Sequence, residues 1–400
     1  MLKILQKPII LFLITNVMVF GLLYFYRQPA DAYILMAGGV VILMALMAYF
    51  CLTRFNWGDE YLFIIASMLV TLGVAMLCRL NYNVGVKQII WYALGIIMFI
   101  CTCIFFRYFN FWKNLQWVYF WTSVALLILT QLVGTTVSGA KNWIIVGGFS
   151  FQPSEAVKIL YALFLASHFS KQNHKKYFDI PEKWVVMLAV YVYCAFFVLQ
   201  HEWGSMVLFF LTYLVTLFVH GSSWKILALN LMVVGGVGWV AATQVSHIKV
   251  RVANWLDPFA DAANRGYQTT QSLFAIASGN FFGSGIGLGK PQFIPEVHSD
   301  FIFSAICEEM GILGGCAVIL LFFILIYRGF KIALAARGTE KWTATIITAT
   351  FGLQTFIIIG GVINLIPLTG ITLPFISYGG SSLVTAFISL GILQGISCKA

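Results

Sequence analysis

Only fourteen of the 400 residues are Asp or Glu, and several of them fall inside or beside long apolar stretches. An acid at membrane depth needs a charge partner or a task. Asp300 is the sharpest case. It follows Pro295-Glu296-Val297-His298-Ser299 and directly precedes the apolar run Phe301-Ile302-Phe303, which places a carboxylate at the water-lipid boundary where a helix begins. Two uses fit that position. An N-cap would accept hydrogen bonds from the first-turn amides, the usual employment of helix-start acids; a general base would take a proton from a bound hydroxyl. Glu308 and Glu309 lie about two turns further along, too deep to cap, and read as structural pairs within a bundle. His298 reads as an exposed loop histidine.

Glu155 and Lys158 stand three apart at the start of one helix, where side chains share a face and can pair. The preceding Phe151-Gln152-Pro153-Ser154 supplies a Pro and a Ser suited to opening that helix. Glu202, in His201-Glu202-Trp203-Gly204, is a second candidate partner for Lys158. Arg251 and Lys290 bracket a long polar segment with Arg265 between them. They either snorkel to lipid headgroups or supply the positive charge that a pyrophosphate requires. Gly283, Gly285, Gly287 and Gly289 alternate in a ladder whose spacing is wrong for a dinucleotide fingerprint. It serves close backbone packing or presents free amides to a phosphate.

These groups must be held by membrane helices. The chain is 60% apolar and 10% charged, against roughly a quarter charged in soluble domains, which excludes a soluble globule, a disordered chain, a fibrous repeat and a small disulfide scaffold. Twelve apolar runs approach or exceed the length needed for a span: 9–26, 32–52, 61–78, 89–106, 111–133, 155–169, 184–200, 205–220, 224–245, 301–327, 342–365 and 377–397. Backbone amides in hydrocarbon must be paired within their own segment, so the runs are helices. The fold class expected is an all-α polytopic membrane protein of about twelve transmembrane helices. Lys3 and Lys7 before the first run, with Ala30-Asp31-Ala32 after it, mimic a secretory signal. The run is longer than a signal core and another follows at once, which favours an uncleaved anchor.

Alternating the loops from a cytoplasmic N-terminus puts fifteen Lys and Arg inside and eight outside, with Lys158 within a span. That excess fits the positive-inside rule with both termini cytoplasmic, and explains a net charge of +10 without nucleic acid. The longest break, 246–300, then becomes one large extracytoplasmic loop. Shorter outer segments carry Gly139-Ala140-Lys141-Asn142-Trp143 and Pro367, Thr369, Gly370 and Pro374. Seven of the eight Cys sit in or at the ends of apolar runs, form no C-x-x-C pair, and read as small buried hydrophobes.

Taken together, these segments resemble the SEDS family of cell-wall proteins, the RodA, FtsW and SpoVE group, from about Tyr61 to the C-terminus. The resemblance is carried by Gly139-Ala140-Lys141-Asn142-Trp143, Phe151-Gln152-Pro153-Ser154-Glu155, Trp255-Leu256-Asp257-Pro258, Gly266-Tyr267-Gln268, the glycine ladder, Ile294-Pro295-Glu296, Asp300-Phe301-Ile302-Phe303, Glu308-Glu309 and Ser377-Tyr378-Gly379-Gly380-Ser381-Ser382, in family order. It implies a ten-helix core over 61–400 with an extracytoplasmic loop at about 246–300, preceded at 1–60 by an accessory two-helix membrane hairpin of the kind in some Gram-positive relatives.

It further implies an inverting glycosyltransferase that polymerises lipid II into glycan strands on the outer face of the cytoplasmic membrane, in division, elongation or sporulation. Expected partners are a class B penicillin-binding protein acting as transpeptidase and other divisome or elongasome membrane proteins. Asp300 matches the family's essential acid, Glu155 and Lys158 match polar positions, and Glu202 stands where relatives commonly have Asp. Arg251 and Lys290 are candidates for the diphosphate, with Glu155, Lys158 and Glu202 as further substrate-binding candidates. The family's common Gln-Lys pair is missing from Gly289-Lys290-Pro291-Gln292, and Ser299 replaces a Thr. No metal cluster is visible; a divalent cation, Mg or Mn, could arrive with the substrate diphosphate. A lipid II flippase and a non-enzymatic scaffold for the transpeptidase are the competing readings.

Overall fold

The computed structural model describes residues 8–26, 32–137, 139–147, 149–171, 176–177 and 180–399. Lys3, Lys7, Ala30 and Asp31 of the signal-like segment lie outside the described residues.

Each of the twelve apolar runs forms a helix: α1 (Pro8–Tyr26), α2 (Ala32–Arg54), α3 (Glu60–Leu80), α4 (Tyr82–Tyr108), α5 (Gln116–Val133), α6 (Pro153–Phe169), α7 (Glu182–Leu199), α8 (Trp203–Val219), α9 (Trp224–Gln244), then α12 (Ile302–Ala335), α13 (Gly338–Val362) and α14 (Gly380–Ser397). Ten of them, among the described residues, are long and apolar enough to cross a membrane. The other two, α6 and α8, have 17 residues each. The chain is therefore an all-α polytopic membrane protein.

Helix ends follow local chemistry. Asp59 accepts from the Tyr61 amide at the start of α3, and Asn81, which closes α3, accepts from the Asn83 amide to open α4. One Asx residue thus serves two helices and keeps them antiparallel neighbours. The mostly buried α3, α13 and α14 form the middle of the bundle, whereas α9 buries only Asn230 and Ala241 and turns the rest of its apolar surface outward, as a lipid-facing helix does. At the N-terminal end α1 and α2 pack on each other and on α3. The buried Asn16 amide oxygen accepts from Thr71, so a polar contact fixes the register of α1 against α3.

The long 246–300 segment is not irregular. It contains α10 (Ser246–Leu256) and α11 (Tyr267–Ser278), followed by a short 3-10 turn at Pro291–Phe293. The 134–154 segment folds into an antiparallel meander of β1 (Thr135–Val137), β2 (Ala140–Val146) and β3 (Phe149–Phe151). Gly139 at φ +86° and Gly147 at φ +57° make its two turns, a left-handed backbone that glycine adopts without strain. A second hairpin joins β4 (Lys176–Tyr177) to β5 (Ile180–Pro181).

Two expectations for single residues change. Cys78, Cys103, Cys194 and Cys307 are buried, but Cys101 and Cys316 are exposed on apolar helices, because the side of a membrane helix away from the bundle needs only to be apolar. And α12 is broken at Gly311, where φ is +68°. The glycine ladder fills that break: the amides of Ser284 and Gly285 donate to the carbonyls of Glu308 and Glu309, while the amides of Ile312 and Leu313 donate to Asn280 and Phe281. A Cβ on Gly283 would lie 2.2 Å from the Glu309 carbonyl oxygen. Of the two uses open to the ladder, the backbone approach is the one these glycines make.

Candidate active site

Asp300 and Arg251 come from segments almost fifty residues apart and meet at the turn after α13. Arg251, on α10, donates through Nη1 to the carbonyls of Leu368 and Thr369, at 3.2 and 2.9 Å. Asn364 Nδ2 ties the end of the same helix by donating to the Trp255 carbonyl. The next residue, Gly370, has φ +74°, and a Cβ there would lie 3.5 Å from both Arg251 Nη2 and Asp300 Oδ2. The missing side chain leaves a gap flanked by a guanidinium and a carboxylate.

Asp300 does not cap α12. The capping position is Phe301 and no side chain bonds the first-turn amides. The carboxylate is instead held from behind by the C-terminal motif. Ser377 Oγ donates to the Ser299 carbonyl at 2.5 Å, the Tyr378 amide donates to the His298 carbonyl at 2.9 Å, and Gln88 Nε2 donates to the Ser377 carbonyl. Burial is the main influence on Asp300 and raises its pKa from 3.8 to about 6; Arg251 opposes the rise and Glu296 adds to it. A carboxylate whose pKa is raised to about 6 beside a cationic neighbour can accept a hydroxyl proton. His298 is only half-buried and sits 3.7 Å from Glu296.

A second polar cluster lies within the bundle. Lys158 Nζ is 2.8 Å from Glu155 Oε2 and donates to Gln354 Oε1 at 3.1 Å, while Thr385 Oγ1 donates to the same Glu155 oxygen. Glu155 is thus the partner of Lys158, and Glu202 is not. These four side chains line a small polar cavity of about 30 Å³. It shares Ile159 and Thr385 with an open, largely apolar groove of about 480 Å³ walled by Trp91, Leu94, Val384 and Ile388.

Glu202 does different work. Its Oε1 accepts from Gln152, Ser154 and Ser205 at 2.6, 2.8 and 2.9 Å, which fastens the segment opening α6 to the start of α8. Burial drives its pKa upward against the lowering pull of those hydrogen bonds, and its Oε2 has no hydrogen-bond partner. Glu308 and Glu309 prove structural, as their depth suggested. Glu309 pairs with Arg79 at 3.1 Å and accepts from the Gly287 amide, and Glu308 accepts from the Lys290 amide. Lys290 is held by that backbone bond, and its side chain is exposed.

Sequence reasoning missed Gln354 and Thr385 as parts of the buried cluster, and His247, one turn before Arg251, whose Nε2 is buried without a hydrogen-bond partner. Polar residues inside otherwise apolar helices were the available signal for the first two.

Residues 59–400 match the family model for FtsW, RodA and SpoVE, described as cell cycle protein. The chain is 33% identical over 384 residues to the peptidoglycan glycosyltransferase RodA of Mycobacterium tuberculosis, covering 88% of this chain and 80% of that one. It is also 33% identical over 357 residues to the stage V sporulation protein E of Bacillus subtilis, covering 85% and 96%. Among solved structures, it is similar to a chain from a study of how a peptidoglycan synthase complex coordinates polymerization and crosslinking, with a TM-score of 0.72, 25% identity, and coverage of 85% of this chain and 97% of that one. The crystal structure of the rod shape determining protein RodA from Thermus thermophilus shares the fold, with a TM-score of 0.63, 23% identity, and coverage of 85% and 96%.

Proposed function

The chain belongs to the FtsW, RodA and SpoVE family, and from that membership we infer how its outer-face site works. It is a peptidoglycan glycosyltransferase, a multi-pass membrane enzyme that polymerises lipid II in cell division, elongation or sporulation. We propose that both termini are cytoplasmic, that 246–300 is outside the cytoplasmic membrane, and that 1–60 is an accessory hairpin on a 61–400 core. The start of the family match at residue 59 supports that division.

In the proposed reaction a sugar hydroxyl attacks the anomeric carbon of a second lipid-linked sugar, the diphosphate leaves, and configuration inverts. Asp300 takes the hydroxyl proton, and Arg251 faces the departing negative charge across the Gly370 gap. The single observation that carries this reading is the placing of Arg251 and Asp300 on either side of Gly370, where an added Cβ would lie 3.5 Å from a cation and from a carboxylate whose pKa is raised to about 6. The apolar groove suits a polyprenyl tail, and the Glu155–Lys158 pair stands at its edge as a charged contact for the substrate. Lys290 serves the outgoing diphosphate from its exposed position, and Glu202 acts as a positioning residue. Any Mg or Mn ion belongs to the substrate diphosphate. The crosslinking partner is a class B penicillin-binding protein, by analogy with the synthase complex to which the chain is similar.

The test is Asp300→Asn, purified and given fluorescent lipid II. The variant should insert and fold yet make no long glycan. Normal strand length from it would remove Asp300 from the reaction, and protein that moves lipid II across vesicles without joining it would favour the flippase.

A further inference from the structure

Far from that gap, at the opposite end of α14, two cysteines face each other. The backbone of α14 lies directly on α4: a Cβ on Gly391 would come 2.6 Å from the Phe99 carbonyl oxygen, and one on Gly395 would come 2.8 Å from Phe106 Cβ and 2.9 Å from the Cys103 carbonyl oxygen. Cys398 is three residues beyond Gly395 on the same face, so its sulfur lies over the turn that holds Cys103 and Arg107, and its thiol donates to the Gln394 carbonyl at 3.3 Å. The two differ in access, since Cys103 is buried and Cys398 is partly exposed. Arg107, one turn after Cys103, lies against the Cys398 sulfur, and its Nη1 is buried without a hydrogen-bond partner. The neighbouring Cys103 thiol first, and the Arg107 charge after it, hold the Cys398 thiol below its ordinary range. A partly exposed thiol with a cationic neighbour, backed by a second thiol, is the arrangement of a peroxide-reactive cysteine with its resolving partner.

We propose that Cys398 and Cys103 form an oxidation site, in which a peroxide converts the pair to an intramolecular disulfide joining α4 to α14. The Cys398 thiolate attacks one peroxide oxygen and the O–O bond breaks. The departing hydroxide takes a proton to become water, and Cys398 is left as a sulfenic acid. The Cys103 sulfur then attacks the Cys398 sulfur and the S–O bond breaks, and the hydroxide leaves as a second water with the Cys103 proton. Two thiols and one hydrogen peroxide give one disulfide and two waters. Further along, the same two helices supply Trp91, Leu94, Val384 and Ile388 to the apolar groove, so the bond would staple together two of its walls. The inference does not depend on the roles given to Asp300 and Arg251.

The experiment treats the full chain in isolated membranes with hydrogen peroxide, alkylates the remaining thiols and maps the peptides by mass spectrometry. Wild type should yield a Cys103–Cys398 disulfide that dithiothreitol removes, with Cys101 and Cys316 still alkylated. Cys103→Ser should accumulate a sulfenic acid on Cys398 that dimedone traps, and Cys398→Ser should leave Cys103 a free thiol at the same dose. Arg107→Gln, checked for an unchanged melting temperature, should slow the oxidation about ten-fold. The proposal is overturned if Cys398 stays alkylatable in wild type while other cysteines oxidise, or if Cys103 oxidises equally fast without Cys398.

Discussion

Replacing Arg251 with Gln separates the charge of this residue from its packing. The guanidinium holds two carbonyls, so its loss should lower the plateau rate whatever its electrostatic role. The position of the acid limb is a different quantity. Asp300 titrates near 6 because burial raises its pKa while Arg251 lowers it, and an opposite charge a few ångströms away typically lowers a carboxylate by 1–3 units, so its removal should push Asp300 up by about one unit or more. With a one-unit shift, the ionised fraction at pH 6.5 falls from about three quarters to about one quarter, a roughly three-fold loss that disappears above about pH 8.5. The assay is the initial rate of glycan synthesis from fluorescent lipid II between pH 5.5 and 9, with thermal melts at each pH. Arg251→Lys should keep the limb near its original place. If the plateau falls in Arg251→Gln but the limb does not move, the guanidinium is only a clamp and the argument that it tunes Asp300 is wrong.

Stability should respond in the opposite sense to activity at Asp300. Its folded-state pKa lies above the unfolded value, so stability present below pH 3.8 is lost as pH rises through about 6. Asp300→Asn should therefore melt higher than wild type at pH 7.5, by up to about 3 kcal/mol, and equally with it at pH 3.5 in detergent. Gly370→Ala should fold, at a cost of about 1–2 kcal/mol for its left-handed backbone, yet lose at least about ten-fold in polymerisation, because the new methyl intrudes between Arg251 and Asp300; unimpaired synthesis would mean that nothing needs that gap. Glu202→Gln should match wild type in thermal stability within about 1 kcal/mol, whereas Glu202→Ala, which strips three donors of their acceptor, should cost about 2–4 kcal/mol. Equal melts for the two variants would show that the fastening is dispensable.

What the sequence discloses depends on the range of the forces involved. Spans are legible because hydrocarbon thickness imposes a length on each run, so 9–26 or 224–245 can be read without knowing any neighbour. The Glu155–Lys158 pair is legible because helical spacing alone brings the two together. Asp300 announces itself by standing at the edge of an apolar run, but its function could not be separated there from capping; the capping geometry at Phe301 and the gap at Gly370 depend on segments close to fifty and seventy residues away. Glu202 stays an open candidate partner for Lys158 in the sequence for a related reason: its three donors come from a neighbouring loop and helix start, and charge alone does not reveal them. The glycine ladder was ambiguous until the break at Gly311 supplied the unpaired carbonyls and amides it satisfies.

That break carries one more consequence. From Ile302 to Met310 the helix is a short rod, bonded at one end to the glycine ladder and at the other ending next to Asp300. Pushing or straining residues 280–289 would tilt this rod against the longer half of α12, and the tilt would register at the carboxylate. A screen for altered wall synthesis should accordingly collect substitutions in a stretch of chain with no reacting group of its own.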